Sequence, residues 1–216
     1  MTNTLFHAPL ACSLAVRIAA AEGEVPLNIS YLNLWTKEVE NGGSLYDINP
    51  LGQVSVLKLD NGEIITETST CILWINEQSQ KDSFRIDPSD SRYFQLLRWT
   101  AFCATELHKQ IFRVIFYPEA TDPVKEKIRN LAPKRFDLLN TQLADREFLL
   151  GDSFSAADAY LTWFFILSDN AKLNTRHYQN LERYRTQVLS RPLVKELIAN
   201  DRTKDSELGQ NLENIS

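Results

Sequence analysis

The chain of 216 residues has little cysteine, no long apolar run and no block of charge of one sign, and each absence narrows what it can be. Three cysteines, Cys12, Cys71 and Cys103, form an odd and widely spaced set. No Cys-x-x-Cys pair or metal-ligand spacing is among them, so neither a disulfide framework nor a metal site is expected. Reduced thiols in a cytoplasmic protein are the economical reading. No stretch approaches the roughly 18 consecutive apolar residues of a membrane span, which argues against an integral membrane protein. The opening Met-Thr-Asn-Thr-Leu-Phe-His lacks a basic region followed by an apolar core, so no secretory signal is expected. Lys and Arg number 23 against 28 Asp and Glu, a net charge of −5 without a dense basic run, which disfavours a nucleic-acid partner. Internal repeats are absent too. What remains, at 44% hydrophobic and 24% charged residues, is an ordinary globular composition long enough for one large domain or two small ones.

What is present organises itself around residues 49–69. Asn49-Pro50-Leu51-Gly52-Gln53-Val54-Ser55-Val56-Leu57 runs from a Pro/Gly loop into a short apolar strand. Asp60-Asn61-Gly62 turns it back as an antiparallel hairpin, with strands predicted at 54–58 and 63–66. A helix then opens at Glu67-Thr68 and runs to about Glu77, with Cys71, Ile72, Trp74 and Ile75 facing inward. Such an arrangement presents backbone amides and carbonyls near 54–56 beside a helix N-terminus, a geometry that holds a small peptide carrying a carboxylate. Cys12-Ser13 and Glu106-Leu107-His108-Lys109 fit as further parts of the same site.

Upstream, residues 4–7 read as a strand and Leu14, Ile18 and Ala21 as a helix stripe stopped by Gly23. Leu27 to Leu32 alternates as a second strand. This β-α-β unit should pair its strands in parallel. A polar stretch at 36–44 carries Lys37. Together with the later hairpin and helix, the order β-α-β then β-β-α is a thioredoxin-like layout, an α/β domain over residues 1–79. Residues 80–90, with Pro88, read as a linker, and 91–216 as an all-helical domain. There Tyr93, Leu96, Leu97, Thr100, Cys103, Ala104, Leu107 and Ile111 form one long stripe. A helix from Pro123 to Leu143 should kink or break near 129–132 because Pro133 sits inside it. Ser155 with Asp158 three residues on is a capping-box variant opening an apolar helix through Leu167. Helices at 178–190 and from Pro192 to about Asn200 follow, and 201–216 read as a loose tail.

On these residues the chain resembles the cytosolic glutathione S-transferases, in particular the bacterial beta type with a cysteine in its site. The resemblance rests on Ala11-Cys12-Ser13-Leu14-Ala15, Asn49-Pro50-Leu51-Gly52-Gln53-Val54, Leu59-Asp60-Asn61-Gly62-Glu63, Thr66-Glu67 and Glu106-Leu107-His108-Lys109. It continues through Leu149-Leu150-Gly151-Asp152-x-Phe154-Ser155-x-Ala157-Asp158-Ala159-Tyr160-Leu161 and Arg191-Pro192, across roughly 4–200. It implies the glutathione S-transferase fold, glutathione as co-substrate, a small hydrophobic electrophile as its partner in reaction, and a homodimer. It assigns Cys12 and Ser13 to the chemistry, with Cys12 as a thiolate favoured by a helix N-terminus. Glu67 and Thr68 are assigned to the γ-glutamyl unit and Val54 to the cysteinyl backbone. Lys37, Gln53, Thr105, His108 and Lys109 complete the glutathione set. Tyr and Trp side chains at 93–117 and 160–164 are candidates for the electrophile's apolar wall. Asp158 is implied to be a folding determinant.

Three positions depart from the resemblance. Ser55 stands where the family has a cis-proline, and since a cis bond before a non-proline costs about 2.5–4 kcal/mol, a trans Val54-Ser55 bond is expected on energy alone. Thr68 replaces a serine, and Ala101 replaces an asparagine that reaches the partner subunit. Two alternatives to the transferase therefore stand. One is a transferase-like module that binds a ligand or partner, and the other an enzyme of thiol–disulfide exchange or isomerisation using Cys12.

Overall fold

The structure, a computed structural model, describes residues 2–210. Four short strands, β1 (Thr4–His7), β2 (Asn28–Tyr31), β3 (Val56–Lys58) and β4 (Ile64–Thr66), form one sheet in the order β2-β1-β3-β4. β1 pairs with β2 in parallel, Leu5 opposite Ile29, and with β3 antiparallel, Leu5 opposite Leu57. Helix α1 (Ser13–Glu22) is the crossover between β1 and β2, and α2 (Thr68–Gln78) follows the β3-β4 hairpin. The alternation of a strand is visible in the burial. Leu5 and Leu57 face the large core shared with the helices, whereas Phe6 and Val56 face a second, smaller cluster with Leu32 and Leu45. Trp74, expected inward, is only half-buried on α2.

The chain between the two parts is packed rather than loose. Phe84 and Ile86 are buried, and Asn76 holds Ile86 by donating to its carbonyl and accepting from its amide. Beyond it lie α3 (Tyr93–Phe102), a π-helical stretch Cys103–Phe112 and a last turn, α4 (Arg113–Ile115). The predicted break at Pro133 is present. Helix α5 (Asp122–Arg129) stops and α6 (Ala132–Gln142) restarts with the proline in its first turn, where no amide is needed. Helix α7 (Ala156–Ser168) is the centre of the helical part. Only Ile166 of its residues escapes burial, as expected of a helix that is apolar all round. Its start is the Ser155–Asp158 capping box. The Asp158 carboxylate also accepts from the Leu149 amide at 2.9 Å and the Tyr184 hydroxyl at 2.8 Å.

The C-terminal part corrects the expectation of a loose tail from 201. After α8 (Gln179–Ser190), α9 (Pro192–Glu207) runs past Asn200 and packs against α1. Its Asp201 is fully buried and holds three groups of the N-terminal part. These are the Leu10 amide at 2.7 Å, His7 Nε2 at 3.0 Å and the Arg17 guanidinium. Gln210 extends the contact by accepting from the Leu34 amide. A polar sequence here is therefore no sign of disorder, because its carboxylate has buried donors waiting for it. The rest of the tail expectation, residues 211–216, lies outside the described residues.

Two substitutions test these contacts. Asp201→Ala leaves Arg17 and His7 buried without their acceptor and should destabilise the protein by about 3–5 kcal/mol in urea unfolding, whereas Glu207→Ala on the surface should stay within about 0.5 kcal/mol. Ser155→Ala should lower stability by about 1 kcal/mol through loss of the cap, and an unchanged melt would remove that role.

Candidate functional site

The loop from β1 into α1 is where the site begins. Leu10 sits in the left-handed region at φ 59°, a conformation that costs a non-glycine residue about 1–2 kcal/mol and here aims its amide at Asp201. The chain then turns into α1 with Cys12 as its N-cap and Ser13 as its first residue. The two side chains go different ways. Ser13 is fully buried, 2.8 Å from His7 Nδ1, and borders neither of the two spaces that Cys12 and its neighbours enclose. Burial keeps His7 neutral despite Asp201, so the imidazole donates from Nε2 to Asp201 and accepts the Ser13 hydroxyl at Nδ1. Cys12 lies on the cavity wall, with its thiol donating to the Val54 carbonyl at 3.2 Å. Burial pushes this thiol above its ordinary range, against the opposing effects of Thr68, Lys109 and Ser55. Burial thus works against the thiolate that a helix N-terminus was expected to favour.

The second wall is the loop 49–55. Asn49 ties it by donating to the Gln53 carbonyl at 2.7 Å, and the Tyr46 ring lies so close to Gly52 (φ 58°) that a Cβ there would come within 2.5 Å of it. The Val54-Ser55 peptide bond is cis, not trans as the energetics of a non-proline bond suggest. Ser55 is buried, and its hydroxyl meets that of Thr68 at 3.1 Å, which fastens the loop to the start of α2. Glu67 precedes that start at φ 68° and ψ 124°, exposed at the N-terminus of α2. Around these residues is a narrow polar cleft of about 20 Å³ bordered by Gln53, Val54, Glu67, Thr68, His108 and Lys109. Backbone strain gathers here. Of five non-glycine residues with positive φ among the described residues, Leu10 and Lys37 line the larger cavity and Glu67 the cleft.

The third wall is the π-helical stretch. Its register joins the Arg113 amide to the His108 carbonyl, five residues back, so residues five apart stand one turn apart. His108, Lys109, Phe112 and Arg113 consequently all border one cavity of about 330 Å³. His108 is held by Tyr160 at 2.9 Å and packs edge-on to Trp163 at 4.8 Å. Burial, then the charges of Lys109 and Arg113, bring its pKa down to about 3, so it is neutral in ordinary conditions. Lys109 reaches toward the Gln53 side-chain oxygen at 3.5 Å. Lys37, across the cavity, donates to the Leu34 carbonyl at 2.6 Å. The apolar side is built from Phe112, Phe116, Trp163, Leu34 and Trp35.

Most of the residues singled out from the sequence thus converge: Cys12, Lys37, Gln53, Val54, Glu67, Thr68, His108 and Lys109 border one or both spaces. Thr105 does not. It is exposed and its hydroxyl turns back to the Ala101 carbonyl at 3.0 Å. Trp35, Arg113 and the role of Asn49 escaped the sequence reading, because each owes its position to a loop or helix register that no local pattern announces. No cluster of metal-ligating side chains occurs among the described residues, and no helix among them is long and apolar enough to cross a membrane.

Comparison with known proteins agrees with this geometry. Residues 11–78 match the family described as glutathione S-transferase, N-terminal domain, and residues 105–201 its C-terminal domain. Over 197 residues the chain is 32% identical to glutathione S-transferase GstA of Escherichia coli O157:H7, which covers 90% of this chain and 96% of that protein. A sphingomonad glutathione S-transferase complexed with glutathione superposes with a TM-score of 0.86 at 28% identity, covering 92% of this chain and 98% of that one. The beta-class glutathione S-transferase of Sphingomonas chungbukensis gives 0.84 at 29% identity, over 92% and 98% of the two chains. With a sheet and helical half arranged as in these proteins and the site at their junction, the chain belongs to the glutathione S-transferase family.

Proposed function

We propose that the protein binds glutathione between the loop 49–55 and the start of α2 and transfers its thiol to a small electrophile in the adjoining cavity. The observation that carries this reading is the polar cleft, where the half-buried Val54, the Thr68 hydroxyl at a helix N-terminus and the Glu67 carboxylate meet. Each end of the tripeptide finds a complement. Glu67 takes the α-ammonium and Thr68, with the free amides of α2, the adjacent carboxylate. Val54 pairs with the cysteinyl backbone as a neighbouring strand would. Lys37, Gln53 and Lys109, which border the adjoining cavity, are the groups we assign to the glycyl carboxylate. The sulfur then projects into a cavity lined by Lys37, Lys109 and Arg113 and by no carboxylate, a field that favours its anionic form.

Cys12 borders the same cavity, and the burial that raises its pKa opposes the thiolate that thiol–disulfide exchange would need. His108, neutral at ordinary pH, holds the aromatic wall and offers no charge. A homodimer is consistent with the strongly exposed Phe94 and Leu51 side chains, and three free, buried cysteines fit a reducing compartment.

Calorimetric titration tests the site. Wild type should bind glutathione, and Thr68→Val and Glu67→Gln should each weaken it by about tenfold, or about 1.4 kcal/mol. The absence of any binding heat in wild type sinks the proposal. Acid unfolding tests the state of His108. Its folded pKa of about 3 lies below the ordinary 6.5, so its contribution is present above 6.5 and lost as pH falls toward 3. Urea midpoints should therefore drop from pH 7.5 to pH 5 in wild type and drop less in His108→Gln, whereas equal slopes would show that folding does not lower the pKa of His108.

A further inference from the structure

In the glutathione pose proposed above, Lys37 and Lys109 serve the glycyl end, and one cation of the cavity is left without that task. Lys109 reaches toward Gln53 in the loop 49–55, and Lys37 borders the same cavity. Arg113 stands one π-turn beyond His108 and borders the cavity together with Phe112 and Phe116. Its guanidinium lies 5.0 Å from the centre of the Tyr117 ring and joins no ion pair among the described residues. The nearest acidic group along this segment, Glu119, is engaged by the Tyr117 hydroxyl at 3.0 Å and does not line the cavity. In a chain with five more acidic than basic residues, a cavity bordered by Lys37, Lys109 and Arg113 and by no carboxylate is a pronounced local reversal of charge. Arg113 also presses on its neighbours, as it helps to lower the pKa of both Lys37 and His108. A second anion would relieve that repulsion.

Resting on the transferase reading, we propose that the electrophile is an aromatic compound carrying a carboxylate or comparable anion, its ring against Phe112, Phe116 and Trp163 and its charge on Arg113. A planar guanidinium at the rim of an aromatic wall offers two parallel donors to a carboxylate while the ring is buried, a combination that a neutral analogue satisfies only in part. With an activated aryl halide, the glutathione sulfur forms a C–S bond at the carbon bearing chlorine. The C–Cl bond breaks, chloride leaves with the bonding pair, and the thiol proton passes to solvent. Arg113 takes no part in these bonds. It selects and orients.

The test uses 4-chloro-3,5-dinitrobenzoate and its neutral amide, 4-chloro-3,5-dinitrobenzamide, each rate divided by its uncatalysed rate with glutathione. Wild type should favour the benzoate by about tenfold in kcat/KM, through KM, and added salt should erode the preference. Arg113→Gln should bring the benzoate-to-amide ratio of kcat/KM to about one, the ratio cancelling any loss of thiolate stabilisation that both substrates share. Binding of the unreactive 3,5-dinitrobenzoate and 3,5-dinitrobenzamide, followed by tryptophan fluorescence, reports the same selection without chemistry. Equal affinity for the two in wild type, or a preference that survives in Arg113→Gln, overturns the proposal. Glutathione that fails to bind in calorimetry overturns instead the reading beneath it, and the dinitrobenzoate titration still decides whether the cavity selects anions.

Discussion

The structure depends above all on one buried carboxylate. Asp201, near the end of the chain, accepts from the backbone of Leu10 and from the side chains of His7 and Arg17, close to its beginning. No local pattern makes this contact, and it determines the shape of the loop on which Cys12 stands. A buried charge without partners would be costly, and Leu10 in a left-handed conformation would be unfavourable by itself. Together they stabilise each other. His7 carries the constraint one step further to Ser13, which explains why Ser13 belongs to the frame of the site and not to its surface.

Around that frame the site is assembled from segments with separate reasons for their geometry. The loop 49–55 is tied by Asn49 and by the hydroxyl pair of Ser55 and Thr68, and α2 begins where its free amides are useful. The π-helical stretch is the third contribution. A regular α-helix would rotate residues 108 and 113 apart, whereas the five-residue register turns His108, Phe112 and Arg113 toward one cavity. Trp163, from α7, closes the space, and its indole N–H donates to the Leu10 carbonyl at 3.0 Å. The loop from β1 into α1, fastened through the Leu10 amide to Asp201, is thereby held from both sides.

Burial decides the electrostatics as much as charge does. Cys12 is surrounded by groups that would favour a thiolate, yet loss of water outweighs them. His108 lies near two cations and becomes a neutral packing group. The charges that stay in contact with solvent, on Lys109 and Arg113, keep their effect on whatever enters the cavity.

The amino-acid sequence by itself determined the order of elements, because strand alternation, the Asp60-Asn61-Gly62 turn, Pro133 and the Ser155–Asp158 box are local signals read over a few residues. It also determined most of the polar groups of the site, since Glu67 and Thr68 had to sit at a helix start and Val54 beside it. Only the tertiary structure decided that Asp201 and Gln210 hold the end of α9 against the N-terminal part, that Ser13 and Thr105 bond elsewhere than in the site, that Val54-Ser55 is cis, and that burial raises the pKa of Cys12. The division has one physical reason. Turns and caps are settled by neighbours along the chain, whereas desolvation and the pairing of buried charges depend on groups that folding alone brings together.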